Sequence, residues 1–299
     1  MGAACDDAVE QLARLLDQVE APLKETFQNV HQGYPTETLV RFLKAREWHV
    51  TNAHKMLVDC LNWRIQNEID SILEGIPVFA FGVGLSTYDK ASVHYYVQSH
   101  IQINEYRDRF ILPMASKKFG RPITTCIKVL DMTGLKLSAL SLLKILTAIS
   151  AVDDLNYPEK AESYYIVNAP YIFSACWKVV KPLLQDRTRK KVHVLHGSGK
   201  DELLKIMDHS SIPHFCRREG SSKGQLSGVD DCFSLDHPFH QELYHYIEQQ
   251  ALNQEFVKQC SLHVDIPDQD PEDAKIVEVI EAEFHKLGEE NGSANGDNK

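Results

Sequence analysis

From Gly75 onward, four short runs rich in β-branched and aromatic residues alternate with helical stretches, and this alternation constrains the fold most. The runs are 76–81 (IPVFAF), 123–130 (ITTCIKVL), 163–167 (SYYIV) and 191–195 (KVHVL). Helical patterns fill about 92–118, 138–152 and 171–184. Strands joined through helices run parallel, because a long crossover returns the chain to the sheet edge it left. The last three runs end in turn chemistry: Asp131-Met132-Thr133-Gly134, Asn168-Ala169-Pro170 and His196-Gly197-Ser198-Gly199. The expected class is α/β, a mostly parallel sheet with crossover helices.

Upstream the texture is helical. Over residues 8–66, Val9, Leu12, Leu15, Leu16 and Val19 make one apolar stripe and Leu39, Phe42 and Leu43 a second. Met56, Leu57, Cys60, Leu61 and Ile65 make a third, and Gly33 and Pro35 separate the first two. Residues 1–74 are therefore read as a small all-α module and 75–220 as the sheet domain. Residues 221–264 are a linker and C-terminal helix: the Gly/Ser-rich stretch 217–230 precedes a helix from near Pro238 carrying Phe239, Leu243, Tyr246 and Ile247. Residues 265–299 are read as an acidic helix and a disordered tail. Asp270 caps that helix, Pro271 opens it, Ile276, Ile280, Phe284 and Leu287 form its stripe, and Gly288 ends it.

Charge is unevenly spread. The net charge is −10, and eleven acids against Lys275, Lys286 and Lys299 put −8 of it in residues 265–299. The body is nearly neutral, which argues against a nucleic-acid binder. Seven cysteines without a CxxC pair suggest reduced thiols and a cytoplasmic setting. The start, MGAACDDAVE, lacks signal-peptide character. The longest apolar stretch, 139–152, contains Lys144 and falls short of the roughly 20 residues that span a bilayer. A soluble protein is expected.

Signals for catalysis are weak. GSGKD at 197–201 lacks the leading glycine (Val194) and the closing hydroxyl (Asp201) of a phosphate loop. Gly82-Val83-Gly84 lacks a third glycine, Thr87 standing in its place, and no G-x-S-x-G elbow occurs. His193, His196, His209, His214 and Cys216 are close in sequence but lack paired metal-ligand spacing. The expectation is a non-enzyme without metal or cofactor; the rival from another class is an α/β hydrolase.

Two crossover helices are too apolar for one-sided packing. Between Ser138 and Val152 only Lys144 is charged. In 171–184, Ile172, Cys176, Val179 and Leu183 form one stripe, while Phe173, Trp177, Val180 and Leu184 form another. Either both are buried beneath the N-terminal helices, or a face looks into an apolar cavity or meets a membrane. The second helix runs directly into Arg187, Arg189, Lys190 and Lys191, the densest basic patch of the chain. That patch is either a solvated loop or a membrane contact.

An ordered set of motifs then narrows the choice. "TLVRFLKAREWHVTNAHKMLVDCLNWR" (38–64), "GIPVF" (75–79), "LDMTGL" (130–135), "NYPEKAESYYIVNAPYIFSACWKVVKPLL" (156–184), the strand KKVHVL and "LLKIMDHSSIPHFCRREG" (203–220) occur in that order. Together they resemble the CRAL-TRIO family, the cellular retinaldehyde-binding and phosphatidylinositol-transfer proteins, over about 36–220. The resemblance implies an α/β domain whose sheet floors a hydrophobic pocket for one lipid, closed by a mobile gate helix. Here the gate matches Ile172, Phe173, Cys176, Trp177, Val180, Leu183 and Leu184, with Arg187, Arg189 and Lys190 as its membrane-contact flank.

The resemblance also implies the ligand. Relatives that bind phosphatidylinositol use residues matching Glu159 and Lys191, which hold a headgroup or simply pair with each other. Arg46 is present, but Glu47 stands where the family has a further basic residue. Lys128 needs an anion if its strand face lines the pocket and is ordinary if it faces out. With His193 these make the expected ligand-binding set. The implied function is non-catalytic binding and transfer, or presentation, of phosphatidylinositol or a related phospholipid. Its partners are phospholipid, a transiently docked membrane surface and, for a lipid-sensing adaptor, a lipid kinase. One departure stands out: Arg64 reaches Gly75 almost directly where relatives carry an extra segment, as in a shortened isoform with an exposed sheet edge.

Overall fold

The computed structural model describes residues 3–71, 92–136, 143–184, 186–217, 231–252, 264–268 and 271–294. The run 76–81, the junction before Gly75 and most of the linker 217–230 lie outside the described residues.

The N-terminal stripes resolve into four helices: α1 (Ala3–Leu16), α2 (Ala21–His31), α3 (Pro35–Ala45) and α4 (Val50–Gln66). The sequence reading had not separated α2. Pro22 starts it and Pro35 starts α3, each where a missing N–H costs nothing. Leu12 and Leu16, Phe27, Phe42 and Leu43, and Leu57, Cys60 and Leu61 close one shared core. Ile65, assigned to the third stripe, is exposed instead.

After a short 3-10 turn (Ile69–Ser71), α5 (Val93–Tyr106) passes through a π turn (Arg107–Ile111) into α6 (Leu112–Phe119). Three parallel strands follow in the order β1-β2-β3: β1 (Cys126–Asp131), β2 (Ala161–Val167) and β3 (Val192–Val194). Helix α7 (Leu143–Asn156) joins β1 to β2. Helix α8 (Tyr171–Val180), a 3-10 turn (Lys181–Leu183) and α9 (Asp186–Lys191) join β2 to β3. The parallel alternation expected from the sequence is therefore present. The turn at Gly199 has a packing role: a Cβ there would lie 2.6 Å from Leu195 Cδ1 and 2.9 Å from Val167 Cγ1.

The sheet has two distinct faces. Lys128 points toward α7, whereas Ile127 and Val129 meet the 3-10 turn His209–Ser211, Ile212 and α11 (His214–Arg217). Helix α7 packs on α4 and α5, and α12 (Pro238–Leu252) closes the same core through Leu243 and Ile247. Helix α8 behaves differently. It lies against α13 (Pro271–Ala294), not beneath the N-terminal helices. That helix does not stop at Gly288 but runs on to Ala294. One interior glycine costs only about 1 kcal/mol, and Glu289 and Glu290 favour helix beyond it. The tail read as disordered is helical to that point.

The Trp63-Arg64 signature does two jobs. Trp63 Nε1 donates to the Asp265 carbonyl at 2.8 Å, hooking the segment that leads into α13. Arg64 turns inward to the joint between module and sheet domain.

Candidate functional site

Helix α7 ends at Asn156, and the turn that follows carries Glu159 in the left-handed region at φ +56°. A non-glycine residue held there is strained, and such strain collects at functional sites. Lys191 was expected to open the last strand. It is instead the final residue of α9, because β3 pairs with β2 only from Val192. The two side chains meet all the same. Lys191 Nζ lies 2.5 Å from Glu159 Oε2 and also donates to the Ala161 carbonyl at 3.1 Å. The two side chains therefore pair with each other. Both groups keep some exposure, and each retains hydrogen-bonding capacity: a third ammonium N–H and the second carboxylate oxygen.

The other three expected ligand residues do not join this pair. Lys128 donates to Asp153 Oδ2 at 3.2 Å and lies 5.6 Å from the centre of the Tyr164 ring. Its anion is thus supplied by α7. Burial opposes the lysine charge, but Asp153 outweighs it and raises the pKa. Asp153 also sits 2.6 Å from His100 Nε2. Burial works against its ionisation, yet His100 and Lys128 pull its carboxyl down to about 2. His193 pairs in register with Tyr165 and stacks on it at 5.0 Å, on the sheet face opposite Lys128. Arg46 caps α3 and donates to its neighbour's carbonyl, Ala45, at 2.9 Å.

Helix α8 shows graded burial. Cys176 and Val180 are buried, Ile172, Phe173 and Trp177 are half-buried, and the Phe173 and Trp177 rings stack at 6.2 Å. Tyr171 is 80% exposed and Leu183 47%, with Leu184 half-buried between the 3-10 turn and α9. On α13, Phe284 and Leu287 are buried, and Glu283 is close enough to add to the burial that pushes the Cys176 thiol to about 11. The three flanking bases are engaged differently. Arg187 donates to the Lys44 carbonyl of α3 at 2.7 Å, Arg189 pairs with Asp186, and Lys190 is exposed.

Two features escaped the sequence reading. The first is the joint. Arg64 clamps Glu105 through both oxygens at 2.8 and 2.9 Å, Tyr157 donates to Glu105 at 2.8 Å, and Arg109 donates to it at 3.0 Å. Arg64 is 2% exposed and Glu105 3%. Burial alone would raise the Glu105 pKa, but Arg64 and Arg109 take it down to about 2. The signal was the run Glu105-Tyr106-Arg107-Asp108-Arg109, which sets four charges in five consecutive residues of a helical stretch. The second is an open cleft of about 460 Å³ on the far sheet face, lined by Ile127, Val129, Ile212, Phe215, His214 and Cys232. Cys232 Sγ lies 3.2 Å from His214 Nδ1, and Asp231 lies 3.4 Å from His214 Nε2. That is the nearest approach to a nucleophile–base pair, yet burial and then Asp231 hold the thiol near 11, so it is not a thiolate at neutral pH. Among the described residues no cluster of three His, Cys, Asp or Glu could hold a metal, and no helix is long and apolar enough to cross a membrane.

Comparison with known proteins adds the following. The CRAL/TRIO domain model matches residues 73–216 and the CRAL/TRIO N-terminal domain model residues 7–59. The chain is 28% identical over 233 residues to a SEC14 cytosolic factor of Eremothecium gossypii, covering 67% of this chain and 76% of that protein. It is 30% identical over 263 residues to the CRAL-TRIO domain-containing protein T23G5.2 of Caenorhabditis elegans. It is 28% identical over 223 residues to the phosphatidylinositol/phosphatidylcholine transfer protein SFH12 of Arabidopsis thaliana. Of the last two the chain spans only 36% and 41%. Among solved structures, the crystal structure of Sfh5 superposes with a TM-score of 0.52 at 17% identity, covering 82% of this chain and 97% of that one. That likeness speaks to the fold.

Proposed function

The chain belongs to the CRAL/TRIO family, and from that membership we propose that it binds one phospholipid and transfers or presents it between membranes. The headgroup in this reading is phosphatidylinositol or a close relative. The observation that carries it is the Glu159–Lys191 pair, which joins a carboxylate and an ammonium with unused hydrogen-bonding capacity at the starting edge of the parallel strands. Crossovers in a parallel sheet return to that edge, so α8 and its basic flank lead the chain straight to Lys191. A carboxylate suits inositol hydroxyls and an ammonium suits a phosphate.

In this reading α8 is the gate. The exposed residues at either end of it, Tyr171 at its start and Leu183 in the following 3-10 turn, enter the acyl region, while Lys190 meets anionic headgroups. Names among the relatives, a cytosolic factor and a phosphatidylinositol/phosphatidylcholine transfer protein, support a cytosolic carrier that docks peripherally. No catalytic step is required.

Native mass spectrometry of the purified chain tests the binding, and a co-purified phospholipid at unit stoichiometry is the expected result. Lys191→Ala is expected to reduce extraction of phosphatidylinositol from vesicles at least tenfold while leaving the melting temperature within a few degrees, since the side chain is part-exposed. An empty parent protein that extracts no lipid refutes the reading. Unchanged extraction by the variant refutes the headgroup assignment alone.

A further inference from the structure

The joint contains a second charged cluster that lipid binding does not use. The π turn Arg107–Ile111 keeps consecutive charges, Arg107 and Asp108, in the interior, each only about one-eighth exposed. Asp108 is fully committed: Arg107 Nε donates to its Oδ1 at 2.7 Å and Lys160 Nζ lies 2.9 Å from its Oδ2. A third cation, Arg41 of α3, is 6% exposed, and its Nη2 donates to Thr38 Oγ1 at 2.9 Å. Its Nε has no acceptor within reach, and neither has Arg107 Nη2. Among the described residues no carboxylate lies within ion-pair distance of Arg41. The fields of Asp108 and of Glu37, one turn back on α3, reach it only from farther away.

Two buried basic side chains, Arg41 and Lys160, and the nearly buried Arg107 thus share one carboxylate; burial already lowers the Lys160 pKa to about 8, and a buried charge without a counter-ion is costly. Arg41, Lys160 and Asp108 line a hollow of about 20 Å³, bounded also by Tyr34, Thr124 and His31. Burial lowers the His31 pKa, so the imidazole is neutral at pH 7 and leaves the balance unchanged. The size is telling. Holding one water takes roughly 10–15 Å³, so the hollow has room for one small species.

We propose that this hollow is a binding site for one small monovalent anion of chloride size, the counter-ion of Arg41 that ties the N-terminal helices to the sheet domain. The inference is independent of the lipid reading, because neither Glu159 nor Lys191 takes part. The anion accepts from Arg41 Nε, a donor the protein leaves unanswered.

Two measurements on the full chain test it. Crystals soaked in sodium bromide are expected to give an anomalous peak beside Arg41 and Lys160. Replacing chloride by gluconate at constant ionic strength is expected to lower the melting temperature by on the order of 3 °C. Exclusion of a large hydrated anion from the protein surface would shift it the other way, so the sign is diagnostic. Arg41→Lys keeps the charge and is expected to keep the chloride dependence. Arg41→Met removes the charge at similar length and is expected to melt no lower in gluconate than in chloride. Should the Met variant fail to fold, the bromide map and the Lys variant decide. No bromide peak, or a parent that melts identically in both salts, overturns the proposal and leaves a water in the hollow.

Discussion

Helices α7 and α8 start from similar sequences. Between Leu143 and Val152 only Lys144 is charged, and between Tyr171 and Val180 only Lys178. Their surroundings differ sharply. Helix α7 packs on α4 and α5, touches α13 and is tied to β1 through Lys128, with Ile145, Ala148, Ala151 and Val152 buried and Asp153 locked between His100 and Lys128. Helix α8 has one principal neighbour, α13, and leaves Tyr171 and Leu183 largely in solvent. An apolar helix is thus not one kind of object. Enclosed by charged clamps it is a fixed wall, and covered by one acidic helix it is the part that the proposed gating would release.

The contrast is easiest to break at the wall. Arg64→Ala leaves Glu105 buried with two of its four hydrogen bonds gone, so a loss of about 3–5 kcal/mol is expected in urea unfolding. A loss under 1 kcal/mol would mean that the joint is wet and the wall is not fixed. Acid should act on the same side. Glu105 and Asp153 have folded pKa values near 2, below their ordinary values of 4.5 and 3.8. Each therefore stabilises the fold above its unfolded pKa and loses that contribution as pH falls from about 4.5 toward 2. Glu105→Gln is expected to flatten the stability profile across that window, and an unaltered slope would remove Glu105 from the account.

The releasable side should respond more gently. Phe284→Ala with Leu287→Ala thins the cover of α8, and about 1–3 kcal/mol of lost stability is expected. Amide exchange should rise in 171–183 while α7 stays protected; equal changes in both helices would erase the distinction. Vesicle binding should tighten, because the apolar face is easier to expose. The smallest effect is at the flank. Lys190→Ser is expected to weaken binding to anionic vesicles by about 1 kcal/mol, and added salt should do the same to the parent. Insensitivity to both would make the patch a solvated loop.

Much of this was legible before any coordinates. Leu39, Phe42 and Leu43 fall on one stripe and are buried together, and the β-rich runs at 123–130, 163–167 and 191–195 overlap the three described strands to within two residues at the ends they miss. Periodicity reports such elements because a repeating face must be buried somewhere. The site was legible only in part. Glu159 and Lys191, which precede consecutive strands in the sequence, lie together, whereas Lys128, Arg46 and His193 do not join them. Side chains on one strand alternate between faces, and nothing in a run such as CIKVL says which face meets Asp153. Arg64 was noticed as a signature and not as a clamp, since its partner Glu105 is 41 residues away.

The sequence by itself determined the family, the helical module, the parallel order of elements and the places where charge gathers. Those properties follow from local propensity and from patterns that repeat within one element. What covers α8, which carboxylate answers which cation, and that among the described residues Arg41 is left without one were decided only by the tertiary structure. Burial and ion pairing depend on distances between residues far apart in the chain, and the strength of a charge interaction depends on how much water the fold leaves beside it.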